Sequence, residues 1–383
     1  MSRRVYTNRA VHQDAVPEPS TDAAGFHAAL EAYEPTPLHD LPWLAAETRI
    51  AVAGLKDESG RLGLPAFKVL GGSWAAERTL RERPDVRELV AASAGNHGRA
   101  VAHEAARRGL GARIFLPAVS SRPRRAAIEA EGAEVIVVDG SFEDALEQAH
   151  AAAEQPGVAE IGDVGTLGPA RWVIDGYQTL FAETLAQGSF DLMLVPAGVG
   201  SLAAAATRFA AQVDMRVIGV EPSTAPCLTA SFEAGCPTAV ANTGTTMAGL
   251  DCAEISETAW PTLRDGMHGT ITVDDDEVHD AMRDLATVGL PIGDCGAAPV
   301  AALRALATEQ ACAAPVGHSR LLRPVDATRP TARDPRPLRR PLRGRRRAAD
   351  HARRRGAAHA PGLTQVYADR TARDRFVVYQ VNR

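Results

Sequence analysis

Lysine is almost absent from this chain. Of its 42 basic residues in 383, only Lys56 and Lys68 are lysines; the rest are arginine. Arginine stays protonated in a protein and cannot serve as an amine nucleophile, so chemistry that needs an amine has two candidates. Long apolar runs are missing too. None approaches the roughly 18–20 residues of a membrane helix, and Met1-Ser-Arg-Arg-Val-Tyr6 has no apolar stretch behind its basic pair, so neither a membrane span nor a secretory leader is expected. Cysteine is sparse: Cys227, Cys236, Cys252, Cys295 and Cys312 include no Cys-x-x-Cys pair. That speaks against a zinc site or a disulfide framework and fits a reducing cytoplasm.

Charge is unevenly spread. The net charge is −5, yet residues 318–383 hold 18 arginines against 5 acids, +13, leaving −18 for the remainder. Residues 319–360 are Arg, Pro and Ala with almost no aliphatic periodicity, so disorder is expected there, with a basic nucleic-acid arm as the alternative.

Lys68 lies in Pro65-Ala-Phe-Lys-Val-Leu-Gly-Gly-Ser-Trp74, an amine among apolar neighbours at the start of a helical run. Desolvation there would lower its pKa and make it a nucleophile; a surface lysine with a packed stem is the plainer reading. Ahead of it, Arg49–Leu55 reads as a strand and Lys56–Gly60 as the loop after it. From about residue 87 short apolar strands (88–93, 112–117, 134–138, 158–161) alternate with helices (97–110, 122–130, 142–154). A long helix follows at 169–187, then strands at 191–195 and 216–220 about a helix at 201–212. This alternation predicts an α/β fold of two doubly wound domains with mostly parallel sheets. The boundaries expected are 1–86 for the first part of a large domain, 87–188 for a small domain, 189–317 for the remainder of the large one, and 318–383 for the arginine-rich tail.

Two glycine-containing turns join strand to helix. Ala92-Ser-Ala-Gly-Asn-His-Gly98 stands where α/β folds bind ligands, although a helix cap would use the same residues. Pro196-Ala-Gly-Val-Gly-Ser-Leu202 offers bare backbone N–H groups at a helix start, an anion site, although a plain glycine turn is the commoner use. It has neither the Walker nor the dinucleotide spacing.

The combination says more than its parts. Tyr33-Glu-Pro-Thr-Pro-Leu38, Lys56-Asp-Glu-Ser59, Gly63-Leu-Pro-Ala-Phe-Lys-Val-Leu-Gly71, Gly95-Asn-His-Gly-Arg-Ala-Val101, Trp172-Val-Ile-Asp-Gly-Tyr177 and Met247-Ala-Gly-Leu250 together resemble the second fold type of pyridoxal-phosphate enzymes, over roughly residues 30–310. Within that group the chain most resembles the diaminopropionate ammonia-lyases. The resemblance implies pyridoxal 5′-phosphate as cofactor, held by Lys68 as an imine, with Lys68 then acting as base and acid at Cα. It implies Asn96 on the phenolic oxygen and Gly198, Val199, Gly200 and Ser201 on the phosphate. It implies a small amino-acid substrate, elimination of ammonia from 2,3-diaminopropionate to give pyruvate and ammonia, and a cytoplasmic homodimer with no membrane or nucleic-acid partner. A serine/threonine dehydratase-like enzyme, or an impaired family member, is the alternative.

Two departures stand out. The lyases it resembles carry Asp directly before Gly-Asn-His-Gly, where this chain has Ala94; a second acid, Asp163, is retained in Gly162-Asp-Val164 and implies selectivity for the L substrate, against the plain reading of a loop or cap aspartate. Ala94 also makes the loop look like that of threonine dehydratases. Further, such enzymes close with a strand and a Ser-Thr-Glu-Gly-like turn facing the pyridine nitrogen. The arginine-rich run begins where that strand is expected, so a reading-frame shift near 311–320 is inferred, with loss of the strand and the contact. Among lesser features, Asp274–Glu277 reads as a helix cap rather than a metal site, His97 as structural or substrate-facing, Glu221 as a pocket residue, and Cys295 as core or near the ring.

Overall fold

The computed structural model describes residues 5–165, 168–213, 215–312 and 374–380. In chain order the elements begin with β1 (Val5–Thr7), α1 (Asp22–Ala28), β2 (Leu38–Asp40), α2 (Pro42–Thr48), β3 (Val52–Asp57) and α3 (Lys68–Glu82). Next come β4 (Glu88–Ala92), α4 (Asn96–Arg107), β5 (Gly111–Pro117), α5 (Arg122–Glu129), β6 (Glu134–Val138), α6 (Phe142–Ala153), β7 (Val158–Glu160), α7 (Gly168–Gly176) and α8 (Gln178–Gln187). The chain continues through β8 (Leu192–Pro196), α9 (Ser201–Val213), β9 (Arg216–Pro222), α10 (Cys227–Ala234), α11 (Trp260–Gly266), β10 (Gly269–Val273), α12 (Asp275–Thr287), α13 (Asp294–Cys312) and β11 (Arg375–Gln380).

The strands form two sheets. One has seven strands in the order β1-β10-β9-β8-β11-β3-β2, parallel through its middle with an antiparallel strand at each edge. The other has four parallel strands in the order β6-β5-β4-β7. The central strands β8 and β9 are buried at every residue, because helices cover both faces of a parallel sheet. The α/β class with mostly parallel sheets is therefore as expected. The single long helix expected at 169–187 is two, α7 and α8, joined at Tyr177.

One strand corrects the sequence reading. The region read as an arginine-rich tail holds a strand: Arg375–Gln380 lies between β3 and β8, pairing Phe376 with Ala53 and with Leu192. Phe376, Val377, Val378 and Tyr379 are at most 1% exposed. A short run of aromatic and β-branched residues is what a strand buried on both faces requires, and here it follows a long stretch that carries no such pattern. The expectation of disorder for the arginine-rich run falls on residues outside those described.

A second correction concerns Lys56, which belongs to β3 rather than to a loop. It is fully buried, and its Nζ donates to Glu183 Oε2 and the Thr36 carbonyl at 2.8 Å and to Gln187 Oε1 at 2.9 Å. Arg61, equally buried, forks onto Glu58 at 2.7 and 2.8 Å and onto Glu183 at 2.7 and 2.8 Å. Tyr33 Oη also donates to Glu183, at 2.8 Å. Burial opposes ionisation of Glu183, but Arg61 and Lys56 outweigh it and hold its pKa below the ordinary value. Two cations against two anions make the cluster neutral, so β3, the segment 33–36, α8 and the Arg61–Leu64 turn are bound together in the interior.

Breaking a buried ion pair by removing one partner costs about 3–5 kcal/mol. Arg61→Met is therefore expected to lower the urea midpoint sharply. Arg61→Met combined with Glu58→Met should lose less than the sum of the two single variants, because the second change removes the carboxylate the first left unpaired.

Candidate active site

Lys68 is the first residue of α3, directly behind the Arg61–Leu64 turn, in which Arg61 and Leu64 exchange backbone hydrogen bonds at 2.9 Å. That turn places Leu62 and Gly63 at positive φ. The Lys68 amine extends past the rings of Phe67 and Tyr177, 5.7 and 6.0 Å from their centroids, and donates to Asp163 Oδ2 at 2.7 Å. Asp163 follows β7, and His97 lies in the first turn of α4, behind the neighbouring strand β4. His97 Nε2 sits 2.7 Å from the Ile161 carbonyl and its Nδ1 3.9 Å from Asp163 Oδ2. Ser201, the first residue of α9, donates its hydroxyl to the Asp163 carbonyl at 3.1 Å. The β4–α4, post-β7 and β8–α9 connections thus converge on one place, each at the C-terminal end of a parallel strand, where ligands collect in this class of fold.

The electrostatics differ from the sequence expectation. Burial alone would lower the pKa of Lys68, as anticipated, but the Asp163 carboxylate outweighs it and holds the ammonium above its ordinary pKa. Burial likewise opposes ionisation of Asp163, and His97 and Lys68 overcome it, so the acid is held below the carboxylate range. Burial lowers the pKa of His97. Cys252, close to both ionised groups, is pushed up to about 12 by burial.

The loop at 198–200 has the shape of an anion cradle. A Cβ on Gly198 would fall 2.7 Å from the Gly249 carbonyl and 3.0 Å from Cys252 Sγ. Gly200 has φ +93° and faces Leu263 and Ala259. Only glycine fits these positions, and it lets the backbone turn tightly into the N-terminus of α9, where helix N–H groups favour an anion. An amine beside a glycine-lined helix start is the donor set that an aldehyde bearing a phosphate requires.

Residues 29–316 match the family described as pyridoxal-phosphate dependent enzyme. The chain belongs to that family. It is 34% identical over 291 residues to the diaminopropionate ammonia-lyase of Salmonella typhimurium, covering 66% of this chain and 72% of that one. The L-threonine dehydratase of the same organism is 31% identical over 258 residues, which are 67% of this chain and 49% of that one. Among solved structures, the diaminopropionate ammonia-lyase of Escherichia coli in complex with an aminoacrylate–PLP azomethine reaction intermediate superposes with a TM-score of 0.73 at 30% identity, over 80% of this chain and 87% of that one. Pyridoxal 5′-phosphate is the cofactor of this family member, and the amine and the cradle fit it.

Lys68, Asp163 and Ser201 are brought together, with Asn96 in the same first turn of α4 as His97. Three other sequence candidates are buried or serve as helix caps. Glu221 is buried and accepts hydrogen bonds from the backbone N–H groups of Leu228 and Thr229 at 2.6 and 2.9 Å, so it holds the start of α10 instead of lining a pocket. Cys295 is buried in the first turn of α13. Asp274 and Glu277 form a capping box on α12. Cys252 and Tyr177 also neighbour the amine, which the sequence motifs do not single out. Each stands at or just beyond the end of a quoted motif, Met247–Leu250 and Trp172–Tyr177, and that adjacency was the available signal.

Replacing Asp163 with Asn removes the charge that outweighs desolvation, so the pKa of Lys68 should fall. Followed by the pH dependence of its condensation rate with pyridoxal phosphate, Asp163→Asn should shift the midpoint to lower pH; an unchanged midpoint would refute the assigned balance.

Proposed function

We propose that this protein eliminates ammonia from 2,3-diaminopropionate, giving pyruvate and ammonia. The observation that carries the reading is the 2.7 Å contact between Lys68 and Asp163 beside the glycine cradle. Pyridoxal phosphate, when bound, supplies an electron sink for negative charge at the substrate Cα. Lys68 would hold the cofactor aldehyde carbon and, once free, take the proton from Cα and return one to the leaving amine. Asp163 would accept a proton from the substrate and orient its ammonium group. Asn96 would donate to the phenolic oxygen. The backbone N–H groups of Gly198, Val199 and Gly200, with the Ser201 hydroxyl, would hold the phosphate. In this reading residues 87–188, which carry the four-stranded sheet, form the small domain, and the protein works as a homodimer.

Ala94 removes the acid that would stand before Gly95, and Asp163 remains. The reading therefore expects the L substrate to be preferred. The threonine dehydratase-like alternative draws on the same Ala94 and on the likeness to L-threonine dehydratase.

Release of 2-oxo acid from L- and D-2,3-diaminopropionate, L-serine and L-threonine tests both. The expected result is fastest turnover of L-diaminopropionate. Equal rates on the two enantiomers would remove the selectivity argument, and faster release from threonine would favour the dehydratase. Borohydride reduction followed by proteolysis should place a pyridoxyl adduct at Lys68 and nowhere in Lys68→Ala.

A further inference from the structure

His97 is 2% exposed and stands against the carboxylate that the proposed function employs. Its Nε2 is bonded to the Ile161 carbonyl at 2.7 Å. A carbonyl only accepts, so Nε2 carries the hydrogen, and the neutral ring presents a bare lone pair at Nδ1. That Nδ1 is buried and has no hydrogen-bond partner, an expensive condition for an isolated polar atom. The charged groups acting on the ring are Asp163, from the loop after β7, and Lys68, from α3. Asp163 Oδ2 lies 3.9 Å from Nδ1 and 2.7 Å from the lysine amine, so one oxygen serves both neighbours.

We infer that His97 is the proton-exchange partner of Asp163, a positioning residue that fixes the aspartate loop through Ile161 and takes up the aspartate's proton at Nδ1. The inference rests on the assignment of Asp163 to the reaction. While Lys68 is an ammonium, Oδ2 is committed to it and His97 stays neutral. When the amine is engaged with the cofactor, Oδ2 loses that partner. A proton arriving on Asp163 from the substrate then has a lone pair waiting within a small side-chain shift. The Oδ2–H bond breaks, an Nδ1–H bond forms, and a carboxylate and an imidazolium remain as an ion pair; no other bond changes. The reverse transfer returns the proton to Asp163 and leaves His97 neutral.

Two measurements test this. In cofactor-free protein with ¹⁵N-labelled histidine, the His97 ring should show the Nε2–H tautomer. Its titration midpoint should fall by a unit or more in Asp163→Asn, because the carboxylate that favours the imidazolium is gone. The second is His97→Gln, whose amide can still donate to Ile161 but cannot titrate. Its kcat should drop at least about tenfold, general acid–base steps being worth about 10²–10⁴, with KM changed less than about threefold and the absorbance of bound cofactor unaltered. A wild-type kcat in His97→Gln, or an unmoved midpoint in Asp163→Asn, overturns the inference. A wild-type protein that releases no 2-oxo acid from any substrate defeats the proposed function instead, and the NMR arm still decides the His97–Asp163 coupling.

Discussion

A lysine ammonium and an aspartate carboxylate 2.7 Å apart set the terms for everything else around the site. At that distance, with an effective dielectric near 20, their attraction is on the order of 6 kcal/mol. Burying either ion costs several kcal/mol. The two quantities are of similar size, so the pair is stable while intact and either member is readily unbalanced once the other is engaged. Lys68 is a poor nucleophile while the Asp163 carboxylate keeps it protonated. The pair therefore keeps the amine at rest until something competes for the carboxylate or for the proton.

Such a balance needs walls that do not move, and the fold supplies them from both sheets. Lys68 begins a helix fed by β3 of the seven-stranded sheet; Asp163 follows β7 of the four-stranded one. The first is anchored a few residues upstream by the Arg61–Glu58–Glu183–Lys56 cluster, where every charge has an opposite partner. The second is tied by His97 to the Ile161 carbonyl and by Ser201 to the backbone of Asp163 itself. The glycine loop before α9 and the acid share a hydrogen bond through Ser201, so a shift of one bears on the position of the other.

The α/β architecture was legible because helices and strands differ in apolar period, and the alternation ran cleanly from Glu88 to Val220. The strand at Arg375–Gln380 is not legible in the sequence for a physical reason. Its burial comes from β3 and β8, both far away in sequence, and nothing next to it in the chain announces a sheet. Lys56 was misplaced for a related reason: a charged residue suggests a loop unless its countercharge is known, and Glu183 lies 127 residues away. Lys68 stood out through the scarcity of lysine alone. Its raised pKa was not legible, because local sequence reports desolvation and only the folded chain reports which carboxylate arrives.

The substitution at Ala94 gains its meaning from this geometry. Ala94 stands on the β4–α4 turn, three residues before His97, and brings no charge to it. With alanine, Asp163 holds the ammonium alone, and the histidine beside it faces one carboxylate. That leaves one carboxylate oxygen between the ammonium at 2.7 Å and the bare Nδ1 of His97 at 3.9 Å, so a change of charge on either neighbour is felt by the other.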